Sequence, residues 1–295
     1  MSGFSAGLFL PQIRMDFATI EARARVAEEA GFASVWFMDH MAAPAASGVD
    51  TYEGWTTATA IAARTERLRI GHMVLCDPFR HPVLLAKMAA TLDVISGGRL
   101  ELGLGWGSVP AELATYGFGA PSARDRAARM AETLDVLERM FAGEPFSYEG
   151  RFVSIDGAVG RPVPVQARIP VHIGGAGARL TLPLVRRYAD WWNCPSYAIS
   201  QLAELRPLVG EVRVSAQHPI GLAASTAARE EVVATAQRRF GSWGGLVSGT
   251  PDEVAAALRA EAALGVELFI VQFSDLGRPE TIGLFAEEVL PALAV

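Results

Sequence analysis

Arg99-Leu-Glu-Leu-Gly-Leu-Gly-Trp-Gly107 is a short apolar run that breaks into alternating glycines. A buried strand ending in residues without a Cβ lets its backbone come within contact distance of something flat, a ring system or another backbone. The same letters also suit an ordinary glycine-rich turn, and the flanking sequence decides how the run is read. Upstream, Phe4 to Leu10 reads as an apolar strand, followed by a helix-period stretch from Thr19 to Ala30 that stops at Gly31. Ser34 to Met38 reads as a second buried strand, with a helix from Trp55 to Arg64 after a Gly/Pro/Ala loop. Leu68 to Leu75 is a third strand, and Pro82 to Ile95, with proline suited to a first helical turn, is its helix. Leu100 to Gly105 is therefore the fourth strand, followed by a long helix from Ser122 to Phe141.

Downstream, strands are expected at Val171 to Ile173, Trp191 to Asn193, Ile220 to Ala223 and Leu268 to Phe273. Helices join them near Leu180 to Arg187, Gln201 to Leu208, Ala228 to Phe240 and Pro251 to Leu264, with a last helix from Thr281 to Leu293. Gly143 to Pro170 carries Phe146-Ser-Tyr-Glu-Gly-Arg-Phe152 and then prolines, and reads as a hairpin excursion between the fourth and fifth units. Eight strands, each followed by at least one helix, predict a closed (β/α)8 TIM barrel rather than an open doubly wound sheet. Neither an internal repeat nor a low-complexity linker cuts the chain, so residues 1–295 are read as a single domain.

Composition bounds the function. Of 295 residues 51% are hydrophobic and 20% charged, enough for a large core and unlike a disordered chain. A net charge of -6 with scattered basic residues offers no stripe to neutralise a phosphate backbone, so nucleic acid is not expected as a partner. No apolar run approaches the roughly 20 residues that span a bilayer, and the N-terminus lacks a basic lead and cleavage site. The expectation is a soluble cytoplasmic protein with no membrane partner. Cys76 and Cys194 stand far apart outside any C-x-x-C pattern and are read as reduced. The five histidines show no metal-ligand spacing, so no metal is expected.

Barrel enzymes place their sites at the carboxyl ends of the strands, and here those ends are rich in functional groups. Asp39-His40 follows the second strand, Cys76-Asp-Pro-Phe-Arg-His81 the third, Gly105-Trp-Gly-Ser108 the fourth, Gly174-Gly-Ala-Gly177 the fifth and Asn193-Cys-Pro195 the sixth. A glycine turn ahead of a helix exposes backbone N–H groups that favour a phosphate, and Arg179, expected in that helix's first turn, adds a donor. The turn lacks the G-x-x-x-x-G-K pattern of triphosphate hydrolysis. Asp39-His40 suits proton transfer or polar contact with a ring, the plainer alternative being a capping pair satisfied by local backbone. Trp106 stands among the strand-end glycines, where it either stacks on a ring or fills the barrel mouth.

At these residues the chain resembles the bacterial-luciferase-like superfamily of flavin and deazaflavin oxidoreductases. The likeness is carried by Ala30-Gly-Phe-Ala-Ser-Val-Trp36 with Asp39-His40, Trp55-Thr-Thr57, Ala62 to Gly71, Phe79-Arg-His-Pro82, Leu85 to Gly105, Ile173-Gly-Gly175 and Gly249-Thr-Pro-Asp-Glu253. It covers most of the chain and is densest before residue 110.

The resemblance implies a (β/α)8 barrel, usually a homodimer, with FMN or the deazaflavin coenzyme F420 at the strand ends. It places a non-prolyl cis peptide under the ring near Met73-Val74, the cofactor phosphate at Gly174, Gly175, Ala176 and Gly177, and His40 near the reacting face. Asp39, Cys76, Gly105, Trp106 and Arg179 are expected beside the cofactor, with Cys76, Phe79 and Trp106 as walls. Sugar-phosphate dehydrogenases of this group carry a glutamate after the glycine pair of the fourth strand. Ser108 occupies that position here, which argues against a sugar phosphate and leaves the proton donor open.

The leading expectation is a monooxygenase using reduced FMN from a separate reductase on a small, fairly apolar substrate, with His40 assisting proton transfer. The first alternative is hydride transfer with coenzyme F420, whose acidic tail would find Arg179, Arg186 and Arg187. The second is a non-catalytic flavin-binding barrel.

Overall fold

The computed structural model describes residues 4–44 and 48–293. In chain order its strands are β1 (Ser5–Phe9), β2 (Ser34–Phe37), β3 (Arg69–His72), β4 (Leu75–Cys76), β5 (Leu100–Gly105), β6 (Phe146–Glu149), β7 (Ser154–Ala158), β8 (Val171–Gly174), β9 (Trp191–Cys194), β10 (Arg213–Leu222), β11 (Val247–Gly249) and β12 (Val266–Phe273). β1, β2, β3, β5, β8, β9, β10 and β12 pair in parallel around a ring that closes through β10 with β9 and β12 with β1. The (β/α)8 TIM barrel follows from this closure. β6 and β7 form the expected antiparallel hairpin between the fourth and fifth units. The backbone N–H groups of Arg151, Phe152 and Val153 donate to Glu132, which lays the hairpin on the helix Ala123–Ala142.

Outward-facing strand residues such as Leu8, Val35, Ile70, Leu102 and Ile173 are buried under the helices. The helices start and stop where local chemistry dictates. Asp16 caps Phe17–Glu29 by accepting from Thr19 N–H, Pro82 opens Pro82–Ser96, and Gly97 ends it in the left-handed conformation. Among the described residues, no helix is long and apolar enough to cross a membrane.

The barrel interior is filled below the rim. Trp36 packs with Phe9, Met38, Met73, Trp191, Leu268 and Ile270. Its indole occupies the space that a Cβ on Gly71 would need, so the small residue of β3 is the counterpart of the large one of β2. His172 stacks on Trp191 at 5.4 Å and donates or accepts through Nε2 at 2.7 Å from Glu101, which also pairs with Arg69.

The glycines of the opening stretch serve the second of their two readings, the approach of another backbone. A Cβ on Gly103 would collide with the carbonyl oxygen of His72 on β3, and one on Gly105 would come within 2.5 Å of the Val74 side chain. The expected third strand, Leu68 to Leu75, is in fact interrupted: the Met73-Val74 peptide is cis and separates β3 from β4. β5 can lie beside that irregular segment because it presents hydrogen instead of side chains there.

Three other elements depart from expectation. The seventh strand is not Ile220 to Ala223 but the ten-residue β10, of which only the end was legible. Ser215, Gln217, His218 and Pro219 break the apolar pattern. The proline is tolerated because it falls between Ala216, the last residue paired to β9, and Ile220, the first paired to β11. The expected helix Gln201 to Leu208 is a chain of short turns from Ser196 to Val209, interrupted around Pro207. The last helix begins at Pro279 and passes through a π-helical turn at Phe285–Val289.

Gly103→Ala tests the β3–β5 contact. It is expected to cost about 2 kcal/mol through overpacking against a backbone that cannot rotate away, read as a lower midpoint in chemical denaturation. An unchanged midpoint would show that the two strands do not approach so closely.

Candidate active site

A cavity of about 380 Å³ opens at the carboxyl ends of the strands. β2 contributes Asp39 and His40, the β3–β4 break contributes Met73, Val74 and Cys76, β5 contributes Gly105 and Trp106, and β8 contributes Gly174 with Gly175, Ala176 and Gly177. Eleven of the twelve residues expected from sequence to act on or bind the cofactor therefore meet around one space.

Arg179 is the exception. It lies in an exposed turn ahead of the helix Thr181–Tyr188, not in its first turn, and does not line the cavity. Leu180 occupies the cap, so the helix begins one residue later than its apolar periodicity suggests. Arg186 and Arg187 are exposed as well, and Arg187 lies against Tyr188 and 3.5 Å from Asp135 on the outer surface. Phe79 packs on Phe118 at 4.8 Å and is not part of the lining.

Asp39 is buried, and its role is architectural. Its two oxygens take both terminal nitrogens of Arg80, at 2.7 and 2.9 Å, and Oδ2 also accepts from Cys76 N–H at 2.8 Å. This fork-to-fork pair fixes the end of β2 to the segment after β4. The Cys76 thiol is pushed up by burial and by the neighbouring carboxylates of Asp39 and Glu112, so it remains protonated and serves as a wall.

His40 stands at the cavity edge with a partner that the sequence reading missed. Its Nδ1 lies 2.8 Å from Glu112 Oε2, while Glu112 Oε1 accepts from Met41 N–H at 2.7 Å. The carboxylate is thereby held on both oxygens. An ionised carboxylate only accepts, which places a proton on Nδ1 and turns Nε2 into the free nitrogen of the neutral ring. Glu112 sits in a short helix, Pro110–Thr115. A proline at the first helical position followed by an acid in the first turn is the signal that marks this helix in the sequence. Ser108 lines the cavity, and the carboxylate arrives instead from one helical turn further on.

Trp106 is pinned on two sides. Its Nε1 donates to Thr181 Oγ1 at 3.2 Å, and the Arg126 guanidinium lies 5.2 Å from its ring. Gly175, also against Thr181, adopts φ +124° in the turn after β8, and its N–H is taken by the Asn193 carbonyl at 3.2 Å. Among the described residues, no acceptor is found for the N–H groups of Gly177 and Ala178, the donors an anion would need. Flat apolar walls beside such a turn suit a ring carrying a phosphate. Among the described residues, no three His, Cys, Asp or Glu side chains converge as metal ligands would.

A second cavity of about 460 Å³ shares His40 and Met73 with the first. Phe9, Ile13, Met38, Phe240 and Trp243 form its apolar walls, and Gln217 and Gln272 supply amides. None of these had been singled out from sequence, because their strands and loops are distant in the chain.

Comparison with known proteins agrees with this geometry. A curated F420-dependent glucose-6-phosphate dehydrogenase of Microbacterium testaceum is 35% identical over 178 residues, 60% of this chain, and the match spans about half, 51%, of that relative's length. An F420-dependent secondary alcohol dehydrogenase superposes with a TM-score of 0.82 at 19% identity, covering 99% of both chains. The monooxygenase RslO1 from Streptomyces bottropensis superposes with a TM-score of 0.79 at 22% identity, covering 97% of this chain and 99% of that one. Residues 3–239 match the model of the luciferase-like monooxygenases. A closed barrel, a glycine turn at its rim and a match over most of the chain lead to one assignment: this protein belongs to the luciferase-like monooxygenase family.

Proposed function

We propose that the protein transfers hydride between coenzyme F420 and a small, largely apolar alcohol or carbonyl compound. The observation that carries this reading is the His40–Glu112 pair at the junction of the two cavities. The choice of deazaflavin over FMN is supported by relatives of 35% and 32% identity that are named F420-dependent glucose-6-phosphate dehydrogenases. It replaces FMN-dependent monooxygenation, the leading expectation from sequence, as the better supported of the two. Ser108 speaks against a sugar phosphate as substrate.

When bound, a deazaflavin supplies two-electron chemistry as a hydride donor or acceptor and makes no use of dioxygen. The glycine turn at Gly174 to Gly177 would hold its phosphate, with Val74 and Trp106 against its ring. His40 Nε2 takes the hydroxyl proton of an alcohol, or returns one to a carbonyl oxygen. Glu112 keeps Nδ1 protonated and stabilises the imidazolium that results. Met73 and the indole of Trp106 keep bulk water from the reacting face.

FMN with dioxygen is the competing reading, favoured by the family to which the chain belongs. Titration with F420 and with FMN, followed by turnover of secondary alcohols and ketones with and without oxygen, separates the two. Oxygen-independent turnover with F420 is expected, and turnover that stops without oxygen and needs FMN would overturn the proposal.

Two variants probe the dyad. His40→Ala is expected to lower kcat by about a hundredfold or more while the dissociation constant of F420 changes little. Glu112→Gln is expected to lower kcat by about tenfold to a hundredfold, because the histidine loses its orienting charge. If either variant turned over like the parent protein, the proton would have to move elsewhere.

A further inference from the structure

We infer that the second cavity selects a substrate with an apolar body and a carboxylate terminus, bound by Arg14 and Arg239. This inference rests on the hydride-transfer reading only for the word substrate, and the binding it describes is measurable without turnover.

Arg14 and Arg239 both line the cavity, and no carboxylate is found among its described lining residues. Neither arginine takes part in an ion pair among the described residues. Arg239 uses one nitrogen to donate to the Ser274 carbonyl, which leaves the rest of its fork available. A neighbouring space of about 470 Å³, also lined by Arg14, Arg239 and Leu276, contains Asp16 and Asp275 together with Arg23 and Arg278, and both acids are hydrogen-bonded within their own turns. Asp16 accepts from Thr19 N–H, and Asp275 accepts from Gly277 N–H and from the Thr281 hydroxyl.

Placement is equally specific. Ile13 bridges to Thr51, and Arg14 follows it with φ 56°, a left-handed conformation that most residues other than glycine avoid. The side chain thus enters the cavity lining from a loop, while Arg239 enters from the last turn of the helix Thr226–Phe240. The arginines and His40 share this cavity with Phe9, Met38, Phe240 and Trp243, of which Phe240 and Trp243 pack edge to face at 5.0 Å. A molecule lying along this wall presents its reacting carbon to the first cavity and its far end to the guanidinium groups. A volume of about 460 Å³ is in the range of small-molecule sites. A cation is disfavoured by two positive charges, and a wholly neutral ligand would leave both forks unused. A planar anion that takes two parallel N–H bonds is the complement.

Calorimetric titration of the protein without cofactor tests this, using hexanoate, dodecanoate and 4-phenylbutyrate, each against its own primary amide. The carboxylates are expected to bind about fivefold or more tightly than the amides, a preference that shrinks as salt is raised. Arg14→Gln, a change at an exposed position, is expected to remove most of that preference and leave amide affinity unchanged. Arg14→Lys keeps part of it. Equal affinity for acid and amide, no binding by any probe, or a preference untouched by Arg14→Gln and Arg239→Gln would each overturn the inference. A parallel titration with F420 distinguishes the two sources of a carboxylate. If Arg14→Gln weakens F420 and not the fatty acids, the arginines serve the acidic tail of the cofactor and the inference fails. If F420 does not bind at all while the carboxylate preference stands, the hydride-transfer reading fails and the anion site remains.

Discussion

Three donors converge on the buried carboxylate of Asp39: the two terminal nitrogens of Arg80 and the backbone N–H of Cys76. A buried ion pair repays the loss of water only when its geometry is good and its remaining positions are filled. Here they are filled by structure that lies far apart in the chain. Arg80 also reaches Glu53, whose carboxylate accepts from Trp55 and Thr56 N–H at the start of the helix Gly54–Ala62. The Arg80 carbonyl in turn accepts from Arg129 on the helix Ala123–Ala142. One carboxylate thereby sets the register of β2, the segment after β4 and two helices, and His40, the next residue along, inherits its position from that lock.

The rim works because the barrel beneath it is solid. Trp36, Trp191 and the Glu101–His172–Arg69 cluster fill the floor, so a ring at the strand ends would rest on packed side chains, not on solvent. Above that floor the labour divides by chemical type. Glycines after β8 expose N–H groups, aromatic and thioether side chains supply flat walls, and His40 with the Glu112 carboxylate supplies the pair to which the proposed function assigns proton transfer. Because the two cavities meet at His40 and Met73, whatever occupies one is brought against whatever occupies the other at the only imidazole that the described residues place in either lining.

Much of this was readable in the chain. Apolar strands followed by helix-period stretches revealed seven of the eight barrel strands near their true places, and their ends pointed to the cavity residues from Asp39 to Gly177. β10 escaped because inward-facing Ser215 and Gln217, with His218 and Pro219, make it look like a loop. Periodicity registers apolar burial only, and Ser215 is satisfied by Asn193 Nδ2 at 3.0 Å instead. Glu112 escaped because a six-residue helix carries too few turns for a periodic signal, although its proline and first-turn acid were visible.

Order along the chain determined the barrel: a parallel strand must be followed by a crossover, and eight such units have one closed solution. It also determined which chemistry stands at each strand end, since a strand's last residues cannot be far from the rim. Only the tertiary structure decided which of those groups touch. The Glu112 carboxylate reaches His40 across seventy-two positions, the glycines of β5 meet the bent backbone of β3, and Arg14 and Arg239 border one apolar space. Such contacts depend on strand register and helix seating, which are set by the sum of packing over the whole core, and no local stretch of sequence carries that sum.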